Sequence, residues 1–375
     1  MKNNIEKNDP KNASSNFDHL IYLRVFEGCN LHCEHCFIPA NPKKMKLETL
    51  YKLKRYVDIF AKSGDTILIQ WHGGEPTSIG AKWMENALEL INSELSEYDV
   101  VHGIQTNLIN YSDKWRDIYI KYFDSNIGVS WDPVIRLMKR DQPETNKDYE
   151  EIFWKQISKL QSDGIEPYLV ITGTKIFFER FSNPYDLFEF LREKGIKRSH
   201  IERLTKTGYA RESWGKIGVN NLQYSNYMKR IYRAYSVYSK MPAENGFKAS
   251  VSPFDGLSES VDRLISGEAG GYGCLSGSCD TNFHTFDANG YKKGCTALNS
   301  EYDNSKYISS NNGVQVLEFF DFEEIRNNRQ VDCQSCKFKS ICSSGCLASD
   351  KSDGSGECSG GFKLFDEILN LKIKH

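Results

Sequence analysis

Cysteine placement constrains this chain more than any other feature. Eleven cysteines occur in 375 residues, and they are clustered. Cys29, Cys33 and Cys36 stand together, none follows until Cys274, and eight lie between Cys274 and Cys358. The N-terminus MKNNIEKNDPKNASSN is polar and lacks an apolar signal core, which places the chain in a reducing compartment. An odd cysteine count there is a poor disulfide framework. Clustered thiols in the cytoplasm read as metal or iron–sulfur ligation, in sets of three, four and four.

Composition narrows the classes. Lys plus Arg number 48 against 50 for Asp plus Glu, a formal charge of −2, so a nucleic-acid binder relying on bulk positive charge is excluded. No run of about 18 apolar residues exists, so no membrane span is expected. The chain is therefore expected in the cytoplasm, with neither nucleic acid nor membrane as partner.

The fold expected is α/β, a partial (β/α)6 TIM-like barrel followed by a cysteine-rich segment. Candidate strands are 19–25, 66–71, 100–106, 126–131, 167–172 and 199–204, rich in Ile, Val, Leu and Tyr. Helical periodicity falls between them, at about 47–62, 81–97, 112–123, 148–162 and 184–194. In the second of these, Trp83, Ala87, Leu88 and Ile91 share one face. Strand–helix alternation of this kind builds right-handed βαβ units and a parallel sheet. The divisions expected are a disordered N-terminus (1–17), the barrel (18–205), a bridging region with an aromatic helix near Leu222–Tyr238 (206–270), the cysteine-rich domain (271–361) and a C-terminal helix (362–375). The stretch SDGSGECSGG at 352–361 is flexible by composition, although it carries Cys358.

Ligands of parallel α/β sheets bind outside the C-terminal strand ends. The unusual loops all follow strands there: the Cys29 cluster, HGGEP (72–76), QTN (105–107) and SWDP (130–133). In FEGCNLHCEHCF the C-x3-C-x2-C spacing can wrap three corners of a four-iron cubane, leaving one iron open to a small molecule. A zinc knuckle completed by His32 or His35 is the alternative.

This loop resembles that of the radical S-adenosylmethionine enzymes, with His35 in the position before the third cysteine. The resemblance implies that S-adenosylmethionine chelates the open iron and is reductively cleaved to a 5′-deoxyadenosyl radical. It extends to Gly73, Gly74, Glu75 and Pro76, similar to the motif that holds the methionine amine. Glycines permit close backbone approach and a carboxylate complements an ammonium, so that role is chemically sensible. Gln105, Thr106 and Asn107 resemble the segment near the ribose, and Ser130 the serine near the carboxylate, although a polar tripeptide at a strand end also suits a cap.

The later cysteines run Cys274-x4-Cys279, Gly290-x4-Cys295, then Cys333-x2-Cys336-x5-Cys342-x3-Cys346, then Cys358. This resembles the SPASM domain, whose members hold two auxiliary [4Fe-4S] clusters. The resemblance implies Cys274, Cys279, Cys295 and Cys346 on one cluster and Cys333, Cys336, Cys342 and Cys358 on the other. Zinc would use the same residues. Three [4Fe-4S] clusters and S-adenosylmethionine are thus the implied cofactors, with a flavodoxin or ferredoxin as electron donor.

Relatives of this kind modify peptides, and three readings follow. Oxidative crosslinking of a ribosomally made peptide, through a C–C cyclophane or a thioether, is preferred. Sulfatase maturation by formylglycine formation, or a small-molecule oxidation, is second, and a non-enzymatic metal-binding protein third. In the anaerobic sulfatase-maturating enzymes a catalytic Asp follows the third cysteine of the segment; here Thr296 stands there, and threonine is no base near neutral pH. The barrel is expected to begin near residue 18, leaving no room for a leader-binding module, so a peptide precursor would be held by the barrel and bridge or by a separate partner. Trp131, Asp132 and Arg136 are either peptide contacts at the barrel mouth or a core tryptophan with a surface ion pair. No general base is identified.

Overall fold

The six apolar runs become six neighbouring strands because each places β-branched or large apolar residues on the face that the helices cover. The computed structural model describes residues 17–38, 42–124, 126–243, 247–277, 282–297, 307–311, 314–318 and 322–374. The expectation of disorder for 1–17 falls almost wholly outside them. The strands are β1 (His19–Phe26), β2 (Thr66–Gly73), β3 (Asp99–Thr106), β4 (Ile127–Ser130), β5 (Tyr168–Gly173) and β6 (Arg198–Arg203). All pair in parallel, in chain order.

The parallel sheet does not stop at six. β7 (Ser250–Ser252) joins β6 at one edge, and β8 (Phe283–Phe286) joins β1 at the other. Three further strands, β9 (Lys292–Lys293), β10 (Tyr307–Asn311) and β11 (Val314–Glu318), extend the β8 edge in the order β8-β9-β11-β10. Strands of two to five residues carry too little pattern to be read from the sequence. They form because β1 and β6 otherwise present unpaired backbone edges. Among the described residues β7 and β8 do not pair, so the eight parallel strands stay open.

Helices cover the sheet at the expected places: α1 (Leu47–Phe60), α2 (Ala81–Glu94), α3 (Asp113–Tyr122), α4 (Asn146–Ser162), the unforeseen α5 (Lys175–Arg180), then α6 (Pro184–Glu193). In α2 the buried face is Met84, Ala87, Leu88 and Ile91, with Trp83 only partly covered. After β6 come α7 (Ala210–Ile217), α8 (Asn221–Tyr238), α9 (Phe254–Ile265), α10 (Phe322–Cys333) and α11 (Phe362–Ile373). A capping box of Asn220 and Gln223 starts α8, whose Tyr224, Met228, Ile231 and Tyr235 are buried, so the aromatic helix is a packing element. Among the described residues no helix is long and apolar enough to cross a membrane.

Two expectations change. The stretch 352–361 is pinned rather than free. Asn221 donates its backbone N–H to the Asp353 carboxylate (2.6 Å) and its Nδ2 to the carbonyl of Glu357 (3.2 Å), while Arg203 donates to the Ser359 carbonyl (2.7 Å). Buried Glu357 accepts from the Lys363 N–H (3.0 Å) at the start of α11. Side-chain partners far along the chain thus replace the apolar burial that its composition lacks. Trp131 is a core residue, fully buried against Phe190 (4.9 Å between ring centres) and Trp154 (5.3 Å). Its neighbours Asp132 and Arg136 form a buried ion pair, not a surface one.

His102 of β3 is buried between Trp71 and Asn92. Trp71 Nε1 donates to its Nδ1 (3.1 Å), so Nε2 carries the proton toward Asn92 Oδ1 (2.9 Å). Protonation would remove the acceptor Trp71 uses, and burial holds His102 down at about 4. The folded value lies below the unfolded one, so this stability is complete above about pH 6.5 and is lost as pH falls toward 4. We expect urea titrations to lose on the order of 3 kcal/mol across that window through this group. His102→Gln should flatten that part of the profile.

Candidate active site

The C-terminal ends of the parallel strands open on one cavity of about 1620 Å³. The Cys29–Cys36 loop, Gly73 to Glu75, Gln105 to Asn107, Ser130, Cys274, Cys295 and Cys346 all line it. One rim therefore gathers loops spread over three hundred residues of chain, of which the strand–loop order pointed only to those between Cys29 and Pro133.

The cysteine loop is stapled on two sides. His32–Cys33 pairs antiparallel with Arg136–Leu137, and Tyr209 donates its N–H to the Cys36 carbonyl (3.0 Å). The Arg136 guanidinium contacts Cys33 Sγ (3.7 Å), and the Leu31 N–H contacts Cys29 Sγ (3.4 Å). Burial raises all three thiols above their ordinary range, Cys33 to about 12 despite the Arg136 charge, and Cys29 is raised further by Cys33 and Glu75. Three thiolates would not coexist here without added positive charge, which an iron cluster supplies, so the donor set fits one. Among the described residues no three His, Cys, Asp or Glu side chains converge at the distances of a single bound ion.

His35 lies on the cavity wall with Nε2 3.4 Å from Asp132, and no partner on Nδ1. Burial, opposed by Asp132, lowers it to about 4, so the imidazole is neutral. Asp132 is fully buried: Arg136 Nε donates to it (2.8 Å), and so does the Thr172 N–H (2.5 Å).

Glycines 73 and 74 are demanded by the cysteine loop. The Gly74 N–H donates to the Phe26 carbonyl (2.8 Å) and the Glu75 N–H to the Gly28 carbonyl (2.9 Å). A Cβ on Gly73, at φ +140°, would sit 2.2 Å from the Phe26 carbonyl oxygen, and one on Gly74 2.3 Å from that of Gly28. The Glu75 carboxylate is 1% exposed and takes four donors: Thr77 N–H (3.0 Å), Thr77 Oγ1 (2.6 Å), Thr106 Oγ1 (2.8 Å) and Asn107 N–H (2.8 Å). Burial pushes this carboxyl up while those bonds oppose it. Here Glu75 joins the β2 and β3 loops from within.

Thr106 and Asn107 also cap the following turn, through the N–H groups of Leu108 (3.1 Å) and Ile109 (3.1 Å). Asn107 Nδ2 reaches Asn30 Oδ1 (2.7 Å) beside Cys29. Gln105 instead lies across the sheet and donates to Ser130 Oγ (2.6 Å); a Cβ on Gly128 would meet its Oε1 at 2.1 Å. Sequence reasoning missed Tyr22, Gln70, His72, His200 and Glu202, which share the cavity. The signal was present: polar residues at alternate positions of strands that should be apolar on both faces.

The later cysteines form two gatherings. Cys274 hydrogen-bonds Cys346, which holds the Cys346 thiol down and the Cys274 thiol up, and Cys295 acts on Cys274 electrostatically. Cys333, Cys336, Cys342 and Cys358 act on one another, with burial raising Cys342 to about 12. Gly360 leaves no room for a Cβ, which would lie 2.8 Å from Cys342 Sγ. Cys279 lies outside the described residues.

Residues 23–153 match the radical SAM superfamily model. That stretch, which holds Cys29, Cys33 and Cys36 and the Gly73–Glu75 loop, is a radical SAM domain. The protein is 20% identical over 365 residues to the serine-type anaerobic sulfatase-maturating enzyme of Klebsiella pneumoniae, spanning 94% of this chain and 87% of that one. An uncharacterized protein of Synechocystis matches at 23% over 185 residues, 47% of this chain and 46% of that protein. Among solved structures, native anSMEcpe with bound AdoMet and Cp18Cys peptide superposes with a TM-score of 0.66 at 18% identity, covering 95% and 96% of the two chains. Streptococcus suis SuiB bound to precursor peptide SuiA gives 0.55 at 17% identity, covering 89% and 72%. These likenesses establish a radical SAM fold shared with sulfatase maturases and peptide modifiers.

Gly74→Ala forces the glycine loop off the cysteine loop. We expect about 1–3 kcal/mol of destabilisation and loss of iron after anaerobic reconstitution, read by iron analysis. Gly215→Ala, whose Cβ meets nothing within 4 Å, should match the parent in both.

Proposed function

We propose that this enzyme oxidises side chains of a ribosomally made peptide and joins two of them through a C–C or thioether crosslink. S-adenosylmethionine is the oxidant: peptide plus S-adenosylmethionine gives a peptide short of two hydrogens, methionine, 5′-deoxyadenosine and a proton. The observation that carries this reading is the shared cavity, in which the Cys29–Cys33–Cys36 loop faces Cys274, Cys295 and Cys346 across about 1620 Å³. That volume accommodates a cofactor and a peptide side chain together.

The cluster that Cys29, Cys33 and Cys36 would hold supplies the electron for reductive cleavage of S-adenosylmethionine, and the two cysteine gatherings beyond would hold auxiliary [4Fe-4S] clusters that take an electron back. The chain's own residues set the stage. Glu75 and its four donors orient the glycine loop, Gln105 and Ser130 line the floor beside it, and Arg136 positions Cys33. Ser130, Gln105 and the Gly73–Glu75 backbone are the proposed contacts to S-adenosylmethionine. The peptide-bound titles of both structural neighbours support a peptide substrate. A flavodoxin or ferredoxin is the proposed reductant.

Formylglycine formation is the second reading, favoured by similarity to a sulfatase maturase along 94% of the chain. Against it, Thr296 lines the cavity with a buried hydroxyl that finds no partner among the described residues. Mass spectrometry separates the two. Reconstituted enzyme, S-adenosylmethionine and a reductant are incubated with the Cp18Cys peptide, and the chain is co-expressed with peptides from short reading frames flanking its gene. We expect a flanking peptide to lose two hydrogens and retain its sulfur. Loss of the Cp18Cys thiol sulfur in exchange for oxygen would establish the second reading instead. Iron analysis should give about twelve irons per chain for three clusters, and Cys33→Ala should abolish 5′-deoxyadenosine release.

A further inference from the structure

Oxidation as proposed above releases a proton, and Thr296 cannot accept it. We propose that Glu202, seated on His200, is the base that takes this proton from the peptide; the inference rests on the oxidative reading of the same cavity.

The alternate positions 200 and 202 of β6 face the interior, where a parallel strand normally buries apolar side chains. His200 Nε2 lies 3.0 Å from Glu202 Oε2, and its Nδ1 lies 2.9 Å from Ser252 Oγ on β7. Ser252 Oγ in turn lies 2.9 Å from the Tyr272 hydroxyl. The row Glu202–His200–Ser252–Tyr272 runs along the cavity wall across three segments of chain. Its outer member is open: the Glu202 side chain is 57% exposed, and that surface belongs to the cavity.

Three other carboxylates of the cavity lining are each held by two or more donors or by a buried arginine. Glu75 accepts four hydrogen bonds, Glu27 faces Arg24 at 3.2 Å, and Asp255 is held by Tyr235 and Ser250. Position adds a second argument. Glu202 lines the same cavity as Cys274, Cys295 and Cys346, the cysteines through which an electron would leave. Proton and electron would depart from the substrate at one place. Burial works against a charged Glu202, but its bond to His200 prevails and holds it below the ordinary range, ready to accept. Tyr224, Tyr168 and the Arg203 backbone N–H also interact with it.

The balance is direct. One C–H hydrogen goes as an atom to the 5′-deoxyadenosyl radical. The second side chain closes the new C–C or C–S bond as its proton passes to Glu202, and the one electron released would be taken up by the [4Fe-4S] cluster that Cys274, Cys295 and Cys346 would help to hold. His200 holds the carboxylate in place and offers the proton a path to Ser252.

The test uses reconstituted holoenzyme and whichever probe the wild type oxidises, the Cp18Cys peptide or a flanking-frame peptide. Glu202→Gln should raise the 5′-deoxyadenosine released per peptide oxidised by ~10²–10⁴-fold and let a peptide-centred radical accumulate in the electron paramagnetic resonance spectrum. Glu202→Asp should restore part of the coupling, and His200→Gln should fall between. Should the ratio stay within twofold of wild type in Glu202→Gln, or should both position-202 variants lose deoxyadenosine and product in equal proportion with no radical signal, the assignment is overturned. Oxidation of neither peptide by the wild type would instead bring down the functional reading and this one with it.

Discussion

Glu75 is sealed from water at the end of β2, and a carboxylate in that position needs protein donors for every lone pair it exposes. The chain supplies them from two loops, Thr77 beyond β2 and Thr106 with Asn107 beyond β3. Meeting that requirement sets the glycine loop, which touches the backbone of Phe26 and Gly28 with no space for a side chain between them. The cysteine loop begins at the next residue. A buried charge thus fixes the geometry of three loops that would otherwise be free at a barrel rim, and a redox centre held there inherits that rigidity.

The opposite flank of the cysteine loop is held by a second buried charge. Asp132 engages Arg136, His35 and the Thr172 backbone, and Arg136 carries its charge to the Cys33 sulfur. Breaking such a pair from one side typically costs about 3–5 kcal/mol, because the surviving charge stays buried. The arrangement does more for position than for stability. It brings a guanidinium beside a thiol and leaves the neighbouring imidazole neutral.

The cysteine-rich segment is not an appendage to the sheet. β8, next to the Cys279 region, pairs with β1, whose end launches the Cys29 loop. Cys274, Cys295 and Cys346 therefore line the same cavity as Cys29, Cys33 and Cys36. Arg203, one residue past Glu202, donates to the Ser359 carbonyl beside Cys358 and ties the far gathering to β6.

Much of this was legible in one dimension. Periodicity and thiol spacing by themselves determined the six central strands, the order of their helices, and the loops that crowd one rim, because those signals are local and repeat within a few residues. Tertiary structure alone decided that Glu75 serves its own loops, that Trp131 is core, that Asp132 and Arg136 are buried, and that the glycine-rich stretch near Cys358 is pinned to α8. It also placed His200 and Glu202 in the cavity that the cysteines line. These outcomes depend on which buried polar group meets which donor across a hundred residues or more, and on desolvation, which exists only once the chain has closed around it.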